Sequence, residues 1–254
     1  MSLTYNPFSL SEHTILVTGA SSGIGRGIAL ESSRMGASVI VLGRNEDRLL
    51  ETFSQLDTGN GQKHLKFICD LTDENAVEEL SKKLPQIDGI VNAAGIFQPL
   101  LVRFVHAEQA RSIIESNFLS ALLLTRAVLS TKKINKNGSI VFISSINGTK
   151  ITYPGSALYA SSKAALCGLS KTLAVECAAR GIRSNTITPG MVNTHILNGG
   201  TITQEQLETD MKKYPLGRYG TPEDIAHATV FFLSDASRWV TGTDFLIDGG
   251  FTLL

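Results

Sequence analysis

The chain has 254 residues, of which 43% are hydrophobic and 18% charged; this composition suits a folded domain with a sizeable core and excludes a disordered chain. Its 23 basic and 23 acidic residues cancel and form no run of like charge, so nucleic acid and anionic lipid are not expected as partners. Three cysteines without metal-ligand spacing predict reduced core residues and no metal site: Cys69, Cys167 and Cys177.

Neither a signal peptide nor a membrane span is expected. Residues 1–12 lack a basic segment, a long apolar stretch and a cleavage pattern, and they are interpreted as a short arm. The most apolar window, residues 119–129, is far shorter than the roughly 18 residues that a membrane span needs. We therefore expect a cytoplasmic protein without a membrane partner.

Short β-branched runs alternate with longer segments of helical period along the chain, the pattern of parallel strands joined by crossover helices. The predicted strands are 14–18, 38–42, 65–68, 89–92, 139–144, 183–187 and 243–247. The predicted helices are 23–35, 46–56, 73–84, 107–132, 156–179 and 222–233. The sequence therefore predicts an α/β fold, a Rossmann-like, doubly wound parallel sheet of about seven strands in a single domain over residues 1–254.

A glycine-rich loop joins the first strand to the first helix. Its glycines allow a tight turn and a close approach of a pyrophosphate to the helix N-terminus, where backbone N–H groups and the helix dipole favour anions. The sequence thus predicts a dinucleotide site at this loop. Its residues are Gly19, Ser21, Ser22, Gly23, Ile24 and Gly25.

The end of the second strand predicts the form of the dinucleotide. A carboxylate at this position would bind the ribose diol of NAD, but here Gly43 is followed by Arg44. A guanidinium can bind a 2′-phosphate bidentately. Arg44 therefore predicts NADP(H) as cofactor, and the alternative is a solvated loop arginine.

Four further motifs follow in order: Asn92-Ala93-Ala94-Gly95, Tyr159-x-x-x-Lys163, Pro189-Gly190 and Asp248-Gly249-Gly250. With the Gly-x-x-x-Gly-x-Gly loop they make the chain resemble the short-chain dehydrogenase/reductase family over residues 14–250. The resemblance implies that Asp70 contacts the adenine, that Asn92 braces the fourth strand, and that Thr194 contacts the nicotinamide carboxamide. It extends the cofactor site to Leu71, Ala93, Gly95, Pro189, Gly190 and Val192, and it assigns Lys163 and Tyr159 to the same site.

The predicted catalytic residues are Ser145, Tyr159 and Lys163. Tyr159 and Lys163 lie one helical turn apart on one face, so the ammonium is expected to draw the pKa of the phenol from about 10 towards neutrality and suit it to move a proton. Ser145 would hold the substrate oxygen, with Ser144 as the alternative serine. By resemblance, Asn117 completes a proton relay, and a one-residue insertion falls within residues 149–154.

Residues 191–219 interrupt the alternation, with Gly199 and Gly200 preceding a polar helical piece at 204–213. Because the segment follows a strand end, we interpret it as a substrate lid, and the alternative is an ordinary surface excursion. His195 is the one histidine considered as a substrate contact.

The resemblance implies an oxidoreductase that interconverts a carbonyl and an alcohol. The resemblance also implies a small-molecule or acyl-thioester substrate, of which a 3-oxoacyl thioester is one candidate. Lys136 and Arg180 stand where the family's contacts to an acidic carrier lie. The alternatives are a dehydrogenase of a sugar, polyol, steroid or small ketone, and a non-catalytic dinucleotide sensor. The length argues against an epimerase or dehydratase. A homotetramer or homodimer is expected, through helices 107–132 and 156–179 and the tail 245–254.

Overall fold

The computed structural model describes residues 5–194 and 204–254. Seven parallel strands form one sheet: β1 Thr14–Thr18, β2 Ser38–Gly43, β3 Leu65–Ile68, β4 Ile87–Asn92, β5 Ile134–Ile143, β6 Arg183–Pro189 and β7 Asp244–Ile247. Their order in the sheet is β3-β2-β1-β4-β5-β6-β7. The chain reverses its direction of growth between β1 and β4, so the crevice where such sheets bind ligands lies at the carboxyl ends of these two strands. The predicted fold class is confirmed.

Helices cover both faces of the sheet. They are α1 Gly23–Arg34, α2 Glu46–Ser54, α3 Glu74–Lys83, α4 Ala107–Ile114, α5 Ser120–Ser130, α6 Ala157–Glu176, α7 Gln204–Met211 and α8 Pro222–Leu233. In β1, Ile15 and Val17 face one core, which includes residues of α1 and α8, whereas Leu16 faces a second core, which includes residues of α3, α5 and α6. This two-sided burial explains why the strands are continuous apolar runs rather than alternating ones.

Two central strands begin earlier than the sequence predicts. β4 begins at Ile87 and β5 at Ile134, and these two residues pair with each other before the register shifts at Gly89. Asn137 inside β5 has a φ of 63°, a conformation typical of a turn. A turn conformation therefore lies inside the strand at Asn137. For this reason the sequence shows turn signals where β5 has already begun.

The predicted helix 107–132 contains a π turn. α4 and α5 are joined by the π-helical residues Glu115–Leu119, and Asn117 lies in this turn with its side chain fully buried. Such wide turns interrupt the regular hydrogen-bond ladder and often occur at functional sites. The π turn thus directs the amide of Asn117 into the molecule.

Among the described residues, Ala107–Ser130 is the one helix whose length and composition would also suit a membrane span. The sequence analysis considered only its apolar centre. Core helices meet the same criterion, and this helix buries Ile113, Leu124 and Val128 in the molecule. Its apolar residues therefore serve the core.

The segment predicted as a lid is anchored at both ends. Val192 pairs with Gly220 in a β-bridge, and the backbone N–H of Met191 donates to the hydroxyl of Tyr214 at 3.3 Å. The hydroxyl of Tyr219 donates to Asp210 in α7 at 2.9 Å. The described helix ends at Met211 rather than at residue 213. His195, Gly199 and Gly200 lie outside the described residues.

A threonine connects the carboxyl ends of β1 and β4. The hydroxyl oxygen of Thr18 accepts hydrogen bonds from the backbone N–H groups of Ala93 at 3.0 Å and Ala94 at 3.1 Å. Thr18 is buried, whereas Ala93 and Ala94 are partly buried. One side chain thus holds the glycine loop against the loop that follows β4.

We predict that Thr18→Val lowers the free energy of unfolding by about 2 to 4 kcal/mol, because two backbone N–H groups lose their acceptor. Urea unfolding measures this difference. The control is Thr172→Val on the exposed face of α6, where the hydroxyl donates only to the carbonyl of Gly168, and here we expect a change within about 0.5 kcal/mol. Equal losses in the two variants would contradict the bridging role of Thr18.

Candidate active site

The glycine loop is packed too tightly for side chains. Gly19 has a φ of 64°, and a Cβ atom on it would lie 2.9 Å from the Cα atom of Ala94. A Cβ atom on Gly25 would lie 2.4 Å from the carbonyl oxygen of Gly19. Ile24 packs partly buried against the core beneath the loop. A side chain at Gly19 or Gly25 would therefore collide with neighbouring backbone.

The N-terminus of α1 has the properties of an anion site. Its N-cap residue, Ser22, makes no side-chain capping hydrogen bond, and the first turn contains no acidic residue. The free N–H groups and the dipole of the helix favour a phosphate at this end. The loop and the helix terminus together fit the pyrophosphate of a dinucleotide.

The end of β2 lies next to the loop, since a Cβ atom on Gly43 would lie 3.5 Å from the hydroxyl oxygen of Ser21. The guanidinium of Arg44 lies 3.8 Å from a carboxylate oxygen of Asp70, and both side chains are exposed. Asp70 also accepts from the backbone and hydroxyl of Thr72, and chiefly the backbone bond lowers the pKa of this carboxyl. An exposed ion pair of this length is weak. Arg44 and Asp70, two predicted cofactor residues, thus contact each other, but this weak ion pair does not hold the Arg44 side chain in one position.

Residues after β4 connect the cofactor side to the catalytic side. The amide nitrogen of Asn92 donates to the hydroxyl of Thr125 in α5 at 3.2 Å. A Cβ atom on Gly95 would lie 3.1 Å from the Oδ1 atom of Asn117 and 3.2 Å from the amine of Lys163. A side chain here would therefore press on both groups. Of the other predicted cofactor residues, Leu71 is buried and Ala93 is partly buried.

The side chain of Asn117 holds the loop after β4. Its Oδ1 accepts from the backbone N–H of Ile96 at 2.7 Å, and its Nδ2 donates to the carbonyl of Ile96 at 2.9 Å and to the hydroxyl of Ser162 at 3.0 Å. The amide therefore fixes this loop against α6. The proton relay that the resemblance implies stays a prediction.

Three predicted catalytic side chains converge where β5 meets α6. The hydroxyl of Ser145 lies within hydrogen-bonding reach of the phenol of Tyr159. The ring of Tyr159 packs edge-on against Phe97, with ring centroids 5.0 Å apart. The buried amine of Lys163 lies 5.9 Å from the centre of the Tyr159 ring and donates to the carbonyl of Ile143 at 2.9 Å. The hydroxyls of Ser145 and Tyr159 and the amine of Lys163 thus lie close together.

The predicted fall in the pKa of Tyr159 is wrong for this arrangement. Burial raises the pKa of Tyr159 to about 12, and the opposing effect of Ser145 is smaller. Burial also lowers the pKa of Lys163 to about 8. The amine of Lys163 lies beside the ring and donates to the carbonyl of Ile143. At neutral pH the phenol is therefore protonated, the form that donates a proton.

The structure distinguishes the two candidate serines. Ser144 is buried, and its hydroxyl donates to the carbonyl of Lys163 at 2.8 Å. Ser145 is partly exposed on the side of Tyr159. A Cβ atom on Gly148 would lie 2.3 Å from the carbonyl oxygen of Ala160, so the loop after β5 rests directly on α6. This geometry favours Ser145 as the residue that contacts a substrate.

The end of β6 and the loop after it border the site on its remaining side. The carbonyl of Pro189 accepts from the backbone N–H of Ile146 at 2.9 Å, which joins this loop to the one that carries Ser145. Gly190 packs on Asp248, because a Cβ atom on it would lie 2.9 Å from the Cα atom of that residue. A Cβ atom on Gly23 would lie 3.3 Å from the methyl group of Thr194, which places Thr194 beside the glycine loop.

Sequence reasoning missed several residues around the site. Thr18, Phe97, Asn147 and Tyr153 all contact predicted site residues or each other. The sequence could have indicated Thr18, because it is the last residue of the strand that precedes the glycine loop. Asn147 and Tyr153 lie in the loop that was interpreted only as the place of an insertion. No cluster of three metal-binding side chains occurs in the part of the chain that the structure describes.

A family model described as Enoyl-(Acyl carrier protein) reductase matches residues 19–252. The chain is 35% identical over 245 residues to the 3-oxoacyl-[acyl-carrier-protein] reductase FabG of Rickettsia conorii, with 96% of this chain and 99% of that protein covered. It is 37% identical over 243 residues to the human 3-oxoacyl-[acyl-carrier-protein] reductase, with 94% and 97% covered.

Solved structures share the fold over nearly the whole chain. A short-chain type dehydrogenase/reductase from Mycobacterium ulcerans superposes with a TM-score of 0.88 at 30% identity, covering 96% of this chain and 91% of that one. A chain from Beutenbergia cavernae, assigned as an NAD(P)-dependent gluconate 5-dehydrogenase with NADP bound at low occupancy, superposes with a TM-score of 0.87 at 33% identity and covers 98% and 100%.

Proposed function

Because the chain belongs to the short-chain dehydrogenase/reductase family, we propose that it uses NADP(H) to interconvert a carbonyl and an alcohol, with a 3-oxoacyl thioester as substrate. One observation carries the reaction: the hydroxyls of Ser145 and Tyr159 converge beside the buried amine of Lys163. Two hydroxyls that converge suit a substrate oxygen, which favours a carbonyl over the carbon–carbon double bond that the name of the family model implies.

The residues at the sheet edge fit a dinucleotide. The uncapped N-terminus of α1 and the crowded glycine loop suit its pyrophosphate, and Arg44 is free enough to bind a 2′-phosphate. When bound, the reduced nicotinamide supplies a hydride to the carbonyl carbon. The residues proposed to hold the cofactor are Gly19, Ser21, Ser22, Gly23, Ile24, Gly25, Arg44, Asp70, Leu71, Asn92, Ala93, Gly95, Tyr159, Lys163, Pro189, Gly190, Val192 and Thr194.

Each catalytic side chain has one task. Ser145 donates a hydrogen bond that holds the substrate oxygen, and Tyr159 donates its proton to the same oxygen as negative charge develops there. Lys163, whose amine lies 5.9 Å from the ring centre, stabilises the resulting phenolate electrostatically. Asn117 positions the loop behind Lys163.

A groove lined in part by Tyr153 supports an acyl substrate. It has a volume of about 400 Å³ and runs between the loop after β4 and the start of α6. Leu101, Val102, Pro154 and Ala157 give it apolar walls. A hydrocarbon chain suits such walls better than a sugar does. The substrates that the two reductases are named for agree with this assignment.

The two basic residues considered for an acidic carrier differ in their surroundings. Lys136 is exposed, whereas the guanidinium of Arg180 donates to the carbonyl of Ile134 at the start of β5. Arg180 thus has a structural partner. A carrier contact at this end of β5 would rest mainly on Lys136.

We predict that Tyr159→Phe retains NADPH binding but loses at least about 100-fold in kcat, because the phenol of Tyr159 is the proposed donor of the proton to the substrate oxygen. Cofactor fluorescence measures binding, and NADPH oxidation with a 3-oxoacyl thioester measures turnover. Tyr5→Phe, a remote and exposed position, is the control. A Tyr159→Phe rate within tenfold of wild type would exclude Tyr159 as the proton donor.

We predict that Arg44→Ala weakens NADPH binding roughly 10- to 100-fold and leaves NADH nearly unchanged, because one or two charge-assisted hydrogen bonds to the 2′-phosphate are lost. Gly43→Asp should act in the same direction by repulsion. A Cβ atom at this position would lie 3.3 Å from the side-chain end of Leu49, a tight contact that requires a small shift of Leu49, and 3.5 Å from Ser21.

Calorimetric titration of both cofactors measures these affinities. Arg34→Ala is the control, since this exposed arginine pairs with Glu31 at the far end of α1. A wild type that prefers NADH, or an unchanged preference in Arg44→Ala, would show that Arg44 is only a solvated loop residue.

We predict a homotetramer or homodimer in solution, because α6 and the C-terminal tail expose large apolar side chains: Val175, Leu253 and Leu254. Light scattering at micromolar concentration measures the mass, and Val175→Glu should shift it to a smaller species. Trp239, the single tryptophan, is 99% exposed within one chain and gives a second readout if assembly covers it. A wild-type monomer would contradict the prediction.

A further inference from the structure

One buried polar side chain near the catalytic residues has no partner in the protein. Asn147 is only 3% exposed, and neither its Oδ1 nor its Nδ2 atom makes a hydrogen bond within the part of the chain described. Buried amides nearly always make hydrogen bonds. The carbonyl reduction proposed above uses Ser145, Tyr159 and Lys163 and assigns no task to this amide.

The backbone fixes Asn147 next to the catalytic serine. Its N–H donates to the hydroxyl oxygen of Ser145 at 3.1 Å, so the two side chains start from one turn. A β-bridge between Asn147 and Ile151 closes the loop. The position of the amide relative to Ser145 is therefore set by backbone contacts and not by a flexible chain.

A second phenol, that of Tyr153, lies near both Asn147 and Tyr159. The amide of Asn147 comes close enough to the phenol of Tyr153 to oppose the burial that raises its pKa, although no hydrogen bond of normal geometry forms. Tyr153 also raises the pKa of Tyr159, so the two phenols are neighbours. Asn147, Tyr153, Tyr159 and Ser145 thus form one polar patch, and Tyr153 continues into the groove.

We propose that Asn147, supported by Tyr153, binds a second oxygen of the substrate and so selects substrates in which a second carbonyl lies near the reacting one. The Nδ2 group donates to that oxygen, and Tyr153 lies close to the amide that makes this bond. A 3-oxoacyl thioester has this arrangement, since its thioester carbonyl lies two carbons from its ketone. A simple ketone lacks the second oxygen. This inference rests on the proposed carbonyl reduction and adds a specificity-determining residue to it.

The test compares two substrates: the N-acetylcysteamine thioester of 3-oxobutanoate, and a methyl ketone of equal length without the thioester carbonyl. Asn147→Leu and Asn147→Asp remove the donor, the second with almost no change in shape. We expect kcat/KM for the thioester to fall roughly 10- to 100-fold, mainly through KM, with the ketone changed less than about threefold. Tyr153→Phe should show a smaller loss of the same kind.

Lys150→Met is the matched control in the same loop, because its side chain lies 3.7 Å from Asp244 and belongs to another contact. It should leave both substrates unaffected. Thermal unfolding distinguishes a structural role of Asn147 from a role in substrate binding. If Asn147 has no structural partner, its replacement by Leu should not destabilise the protein. Equal losses with both substrates, or a destabilised Asn147→Leu variant with unchanged selectivity, would overturn the proposal.

A wild type that does not reduce the thioester contradicts the proposed substrate but leaves the inference testable. The same variants are then compared with a 1-hydroxy-2-ketone and the ketone that lacks the hydroxyl. A selective loss for the hydroxyketone would support a second-oxygen site of different chemistry. An equal effect on this pair as well would remove Asn147 as a determinant of specificity.

Discussion

The close approach of backbone segments at the carboxyl ends of β1, β4 and β5 is the constraint on which the rest of the site depends. Gly25 packs on Gly19, Gly19 packs on Ala94, and Gly95 borders both Asn117 and Lys163. Any side chain at these points would separate the cofactor loop from the catalytic helix. The hydroxyl of Thr18 supplies the hydrogen bonds that hold the first two segments together. The residues proposed to bind the cofactor and those proposed for catalysis therefore lie together at the closely packed carboxyl ends of these strands.

The sequence predicted those elements whose signals are local. β1, β3 and α8 begin and end at the predicted residues, since each combines a plain apolar pattern with strong flanking signals. In α8, Pro222 follows the N-cap Thr221, whose side chain forms a capping box with Asp224. Ser145, Tyr159 and Lys163, the residues proposed for catalysis, also lie close together, because a four-residue helical spacing and the end of a parallel strand fix positions by geometry alone.

Features that depend on contacts between distant segments could not be predicted. The π turn at Asn117 inserts one residue into a helix without any glycine or proline to mark it. The pairing of Arg44 with Asp70 requires the ends of β2 and β3 to be adjacent. Nor does a sequence show how deeply Tyr159 and Lys163 are buried, and that burial reverses the expected direction of the pKa of the phenol.

The two opposite pKa changes have one cause and favour one direction of proton transfer. Burial disfavours charge on either group, so the pKa of Tyr159 rises to about 12 while that of Lys163 falls to about 8. Near pH 7 the phenol is neutral and the amine is still largely protonated. A proton that leaves the phenol creates a phenolate beside an ammonium, and each charge then stabilises the other in a site of low polarity. In the proposed reaction, the phenol thus holds a proton for the substrate oxygen, and the ammonium lowers the cost of releasing that proton.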